Sequence, residues 1–169
     1  MHLRIMIFGK PGSGKSTFAF KLQEKTALPL YHLDRYFYTK NWIERDYQEF
    51  MDIQHKIVAQ DRWIIDGNNT KSLEFRYARA QLCFYFNYPR WICFWRILRR
   101  KLTRKNLALN DRADGCAETI RWSLLAYMWR FERLIEQRGH LAELRLRYPN
   151  VKFVAVCCDK DLKKILEEE

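Results

Sequence analysis

The chain has no C-x-x-C pair, no apolar stretch long enough to span a membrane, and only six glycines and four prolines in 169 residues. Scarcity of glycine and proline excludes collagen-like and linker-like chains. The five cysteines (Cys83, Cys93, Cys116, Cys157 and Cys158) are odd in number. They suggest neither a disulfide framework nor a zinc module, and a reducing compartment fits them best. Only four consecutive apolar residues, Ile5 to Phe8, precede the first glycine, which is too few for the core of a secretion signal. The expected location is the cytoplasm, with no membrane partner. Acidic charge is the minority, 20 Asp and Glu against 31 Lys and Arg, for a net charge of +11. That sign favours polyanions such as nucleotide phosphates, nucleic acid or an anionic surface.

Apolar residues make up 48% of the chain and aromatics 15%, enough for one buried core at this length, so we expect a single domain over 1–169. Apolar, β-branched runs predict strands at 3–8, 30–34, 63–67, 81–87 and 151–157. Between them, spacing of three and four predicts helices over 16–25, from Ile43 to about Gln60, over 72–80, 91–101 and 118–138, and after Asp159, which is placed to cap the last one. In the fourth of these, Trp91, Trp95, Leu98 and Leu102 are expected to face the core, with basic residues opposite. Strands separated by helices imply an α/β three-layer sandwich around a five-stranded, mainly parallel sheet.

Gly9-Lys10-Pro11-Gly12-Ser13-Gly14-Lys15-Ser16 matches G-x-x-x-x-G-K-[ST] in full and lies between a predicted strand and a predicted helix. Glycines let such a loop wrap phosphate oxygens, its backbone N–H groups line the concavity, and the helix N-terminus adds a positive dipole end. Pro11 removes only one donor. Lys15 is expected to reach the β- and γ-phosphates of ATP, the Ser16 hydroxyl to ligate Mg²⁺, and Thr17 to contact the α-phosphate.

Asp34 and Asp66 each end a predicted strand, so both should emerge at the carboxyl edge beside the phosphate loop. An acid there holds Mg²⁺ through water or accepts the proton of a phosphoryl acceptor; singly, each also fits a helix cap. Residues 90–112 hold eight basic residues against Asp111 alone, +7 of the chain's +11. We read this as a basic lid at about 99–117, with Arg100 and Arg104 as arginines that close on the transferring group; a solvated helix face is the alternative. Four histidines (His2, His32, His55 and His140) show no ligand spacing. Cys157 and Cys158 should point to opposite faces of their strand, which gives no metal site. Trp91, Trp95, Trp122 and Trp129 alternate with arginines, but at helical spacing they read as core packing rather than as stacking platforms for nucleic acid.

The phosphate loop, the segment Trp63-Ile64-Ile65-Asp66-Gly67-Asn68 and the turn Tyr88-Pro89-Arg90 before a basic helix together resemble the adenylate-kinase-like group of P-loop kinases. More narrowly, Tyr31-His32-Leu33-Asp34, Asp61 to Asn68, Pro89-Arg90-Trp91 with Trp95-Arg96, and Asp114-Gly115-Cys116 resemble the bacterial DNA topology modulation protein family. The resemblance implies a five-stranded kinase-like fold, ATP binding and a lid after the fourth strand. Residues 105–113 depart from the usual lid pattern. Arg35 and Asn68, beside Asp34 and Asp66, are the candidate acceptor contacts.

Two functions follow as expectations. The first is phosphoryl transfer from Mg·ATP to a small acceptor such as a nucleoside or nucleotide. The alternative is a DNA-binding, topology-modulating protein that hydrolyses ATP or uses it as a switch; its nucleic-acid link could be weak or indirect.

Overall fold

The computed structural model describes residues 2–102, 127, 130, 131 and 139–168. Among them, β1 (Arg4–Gly9), β2 (Leu30–His32), β3 (Trp63–Asp66), β4 (Leu82–Phe86) and β5 (Lys152–Val156) form one parallel sheet in the order β2-β3-β1-β4-β5. The helices are α1 (Lys15–Thr26), α2 (Leu33–Phe37), α3 (Tyr47–Val58), α4 (Leu73–Arg79), α5 (Arg90–Leu102), α6 (His140–Arg147) and α7 (Asp159–Glu168).

Side chains alternate across a strand, so each run of β-branched and aromatic residues feeds two cores. Met6, Phe8, Trp63, Ile65, Cys83 and Tyr85 meet Phe50, Leu73, Tyr77 and Leu144 of α3, α4 and α6 on one face. Ile5, Ile7, Ile64, Leu82, Phe84 and Phe86 meet Phe18, Leu22, Cys93, Ile97 and Ile165 of α1, α5 and α7 on the other. Central strands covered on both faces read as unbroken apolar runs, which is why the sequence announces them so clearly. Because every pairing is parallel, all the carboxyl ends lie along one edge of the sheet.

Several expectations change. The second strand stops at His32 and the chain turns into α2 at Leu33, so Asp34 sits in the first turn of a five-residue helix rather than at a strand end. Leu33 is buried under Gly67, where an added Cβ would lie 2.5 Å from the leucine's own. Ile43 is not part of α3 and is 65% exposed. It belongs to a small hairpin closed by the Tyr38–Glu44 bridge and by the Thr39 N–H donating to the Ile43 carbonyl at 2.8 Å. Helix α3 starts later because Asp46 caps it, accepting from the Glu49 N–H at 3.0 Å. Trp91 and Trp95 do not face the core either. They are 72% and 60% exposed, with Phe94 beside them at 47%. Between Trp91 and Leu98 helix α5 carries more than one apolar stripe, and packing against the phosphate loop selects Cys93 and Ile97, one turn apart, for burial.

Strand β5 ends at Val156, so Cys157 and Cys158 are exposed in the turn before α7 instead of on opposite strand faces. Both of their N–H groups donate to Asp161 Oδ2, at 2.8 and 3.1 Å, so Asp161 rather than Asp159 caps this helix. Among the described residues no helix is long and apolar enough to cross a membrane. Most of the predicted lid, Arg104 included, lies outside the described residues.

Candidate active site

Gly9 is the last residue of β1, at φ +139°, where an added Cβ would stand 2.3 Å from the Phe86 carbonyl oxygen. The loop then turns back on itself around one acceptor. The Lys10 carbonyl accepts from the Ser13 N–H at 3.3 Å, the Ser13 hydroxyl at 2.7 Å and the Lys15 ammonium at 2.9 Å. Pro11 stands in this turn, partly buried. Gly14, at φ +96°, starts α1, whose first turn carries no acid. The helix N-terminus therefore keeps its positive end for an anion. Burial lowers the pKa of the Lys15 ammonium, while Asp66, Asp34 and Cys93 act in the opposite direction.

Strand register brings the acid to the loop. Asp66 pairs with Ile7 of β1 on one side and His32 of β2 on the other. Its Oδ2 accepts from the Ser16 hydroxyl at 2.9 Å and lies 3.0 Å from His32 Nδ1. Burial would raise this carboxyl's pKa, but His32, Lys15 and Ser16 outweigh it, and the net displacement is downward. The other oxygen, Oδ1, is buried with no hydrogen-bond partner among the described residues. Asn68 follows through Gly67 and uses its side-chain oxygen on the Gly9 N–H at 2.9 Å, bracing the mouth of the loop.

Arg76 of α4 is fully buried. Its guanidinium donates to the carbonyls of Ser72 at 3.1 Å, Gly67 at 3.2 Å and Asn69 at 2.6 Å, clamping the segment that carries Asn68. Burial lowers its pKa to about 10. Tyr127 donates to the Asn68 carbonyl at 3.4 Å, and its phenol is pushed up by burial with Asp34 and Tyr38 nearby. Asp34 and Arg35 are both exposed on α2, and Asp34 acts electrostatically on both Lys15 and Tyr127.

A cleft of about 210 Å³ is lined by Gly12, Gly14, Lys15, Ser16, Thr17, Arg96, Ile97 and Arg100. Arg96 joins the loop to α7: it donates to the Ser13 carbonyl at 2.9 Å and to Asp159 Oδ1 at 2.7 Å, and lies 4.5 Å over the Tyr88 ring. Tyr88 donates to the same Asp159 oxygen at 2.9 Å. A larger groove of about 620 Å³ between α3, α4 and Tyr148 contains none of the predicted site residues.

The structure therefore gathers Gly9 to Thr17, Asp66, Asn68 and Arg100 around the carboxyl edge, with Asp34 within electrostatic reach. Sequence reasoning missed His32, Arg76, Tyr127 and the Arg96–Asp159 pair as parts of the site. One signal was available: Arg96 precedes Arg100 by four residues, the spacing of one helix face.

No family model and no curated protein matches the chain. Among solved structures it is similar to a shikimate kinase from Bacteroides thetaiotaomicron, with TM-score 0.58 and 16% identity over 99% of this chain and 98% of that one. It is also similar to a gluconokinase from Sinorhizobium meliloti, with TM-score 0.60 and 16% identity over 97% and 87%. The fold is that of the P-loop kinases. A third neighbour, an uncharacterized protein from Eubacterium ventriosum, matches with TM-score 0.53 and 15% identity over 97% and 96%. In a P-loop kinase fold the carboxyl edge is the binding edge, so the small cleft at the glycine loop, rather than the larger groove, is the candidate active site.

Proposed function

We propose that the protein is an ATP-dependent phosphotransferase that moves the γ-phosphoryl group of Mg·ATP to the hydroxyl of a small acceptor such as a nucleoside or nucleotide. The observation that carries this reading is the Ser16–Asp66 hydrogen bond, at 2.9 Å, directly beneath the glycine loop. The donor set suits Mg²⁺: one hydroxyl, plus a carboxylate whose Oδ1 is buried without a hydrogen-bond partner among the described residues. Mg²⁺ typically takes one or two protein oxygens and leaves the rest of its shell to phosphates and water. When bound there it would neutralise phosphate charge as the group transfers.

The protein's own groups have separate tasks in this reading. The loop N–H groups and the α1 N-terminus bind the phosphates, and Lys15 exchanges the Lys10 carbonyl for a phosphate oxygen. Arg100, and Arg104 from the lid, compensate the charge that spreads over the equatorial oxygens. Asp34 accepts the proton of the acceptor hydroxyl as its oxygen attacks phosphorus and ADP leaves, while Arg35 and Asn68 orient the acceptor. A lid at about 99–117 excludes water, which would otherwise compete as acceptor.

The test is transfer from γ-labelled ATP to a panel of nucleosides, nucleoside monophosphates and small hydroxylated metabolites. Label in one acceptor, lost in Lys15→Ala, is the expected result. Equal labelling by the Lys15→Ala protein would overturn the proposal.

One observation favours the second reading. Trp91, Phe94 and Trp95 lie exposed on a helix with five basic residues and no acid, a combination that suits base stacking beside phosphate contacts. The resemblance to DNA topology modulation proteins belongs with this alternative. DNA affinity that falls steeply with rising salt would support it, and no binding at low salt would remove it.

A further inference from the structure

Resting on the kinase reading above, we infer that His32 is a positioning residue for the metal-side carboxylate: its Nδ1–H holds Asp66 Oδ2 and leaves Oδ1 as the oxygen that would serve a Mg²⁺ ion. The two side chains are register partners on neighbouring parallel strands and are 7% and 6% exposed. An ionised carboxylate only accepts hydrogen bonds, so the 3.0 Å contact fixes the proton on Nδ1. With the Ser16 hydroxyl also on Oδ2 at 2.9 Å, that oxygen has two donors and Oδ1 has none among the described residues. The carboxylate therefore cannot rotate without losing both bonds, and its unpartnered oxygen is the one left for a cation's water.

Packing alone gives no reason for a histidine here. The ring lies 5.2 Å from that of Phe20, in an apolar contact that a phenyl group would also make. Its Nε2 is buried without a hydrogen-bond partner among the described residues, a cost that an apolar side chain would avoid. What the imidazole adds is one donor, aimed at Asp66. Outer partners of this kind tune metal affinity by about ten- to a hundredfold elsewhere.

Two substitutions separate donor from ring. His32→Asn keeps a side-chain N–H near the Nδ1 position and loses the ring, whereas His32→Phe keeps the ring and loses the donor; His32→Leu replaces the latter if the phenylalanine variant does not fold. ADP affinity is measured calorimetrically with Mg²⁺ and with chelator, and each protein's Mg²⁺-dependent gain is compared. We expect the gain to fall about tenfold in His32→Phe, with chelated-ADP affinity unchanged, and to be largely kept in His32→Asn. A full gain in His32→Phe, a loss shared equally by both variants, or equal losses with and without Mg²⁺ would each overturn the inference. A wild-type protein that binds no nucleotide, or binds it without Mg²⁺ dependence, ends the kinase reading as well. A wild-type gain that His32→Phe leaves intact ends only the inference.

Discussion

On the β3 side of the phosphate loop, His32, Asp66 and Arg76 are all more than nine-tenths buried; Asp66 accepts from Ser16 at the end of the loop, His32 bonds to Asp66, and Arg76 holds the Gly67 and Asn69 carbonyls that follow it, over distances between 2.6 and 3.2 Å. On the α5 side, Arg96 reaches the same loop through the Ser13 carbonyl and is held by Asp159, with side chains 32% and 68% exposed. The contrast divides labour by dielectric. Buried groups hold one geometry because alternatives leave polar atoms unpaired, whereas half-solvated groups exchange partners cheaply and are screened by salt. Under the proposed kinase function, a rigid wall on the Asp66 side opposite a yielding wall on the α5 side suits a site that must open to exchange ADP for ATP.

The largest effect that would break this contrast is expected at Arg76. Arg76→Met leaves two buried carbonyls and one half-buried one without the guanidinium donor, and urea denaturation should report a loss of about 3–5 kcal/mol. A loss under about 1 kcal/mol would mean the clamp is dispensable. Next is Lys15→Ala, expected to lower turnover about 10²- to 10³-fold while leaving the denaturation midpoint nearly unchanged. The third is acid titration. Burial tends to raise the Asp66 pKa, but His32, Lys15 and Ser16 bring it below its ordinary 3.8. Its contribution to stability is therefore present above pH 3.8 and lost as pH falls through the lower native value. Denaturation midpoints of wild type and Asp66→Asn across the acid range should diverge above that pH and converge below it. The smallest effect is expected at Asp159→Asn, about 0.2–1 kcal/mol of stability and only at low ionic strength. A loss as large as that of Arg76→Met would erase the difference between the two walls.

The features most legible in the sequence were those written locally. The glycine loop, the succession of strands and helices along the chain and the placement of Asp66 follow from contiguous residues, and the unbroken apolar strands mark a sheet covered on both faces. Asp34 was misread because Leu30 to Leu33 continues a strand-like pattern; contact with Gly67, far along the chain, turns it into helix. Helix α5 was misread because several apolar stripes coexist in Trp91 to Leu98, and only contact with Gly12 selects one of them. His32 and Arg76 were invisible as site residues for the same reason. A histidine 34 positions from its aspartate, or an arginine bonded only to backbone carbonyls, leaves no periodic trace.

Gly12 lies so close to α5 that an added Cβ would stand 2.7 Å from both the Cys93 carbonyl oxygen and the Ile97 side chain. In evolutionary terms the two contacts differ in kind. Crowding at Ile97 could be answered by a smaller neighbour through a compensating second mutation. The carbonyl belongs to every residue that could occupy position 93, so no single exchange there relieves it. Drift at position 12 is thus closed unless the whole of α5 moves outward, taking Arg96 and Arg100 with it, and the loop and its arginine-bearing helix must diverge together or not at all.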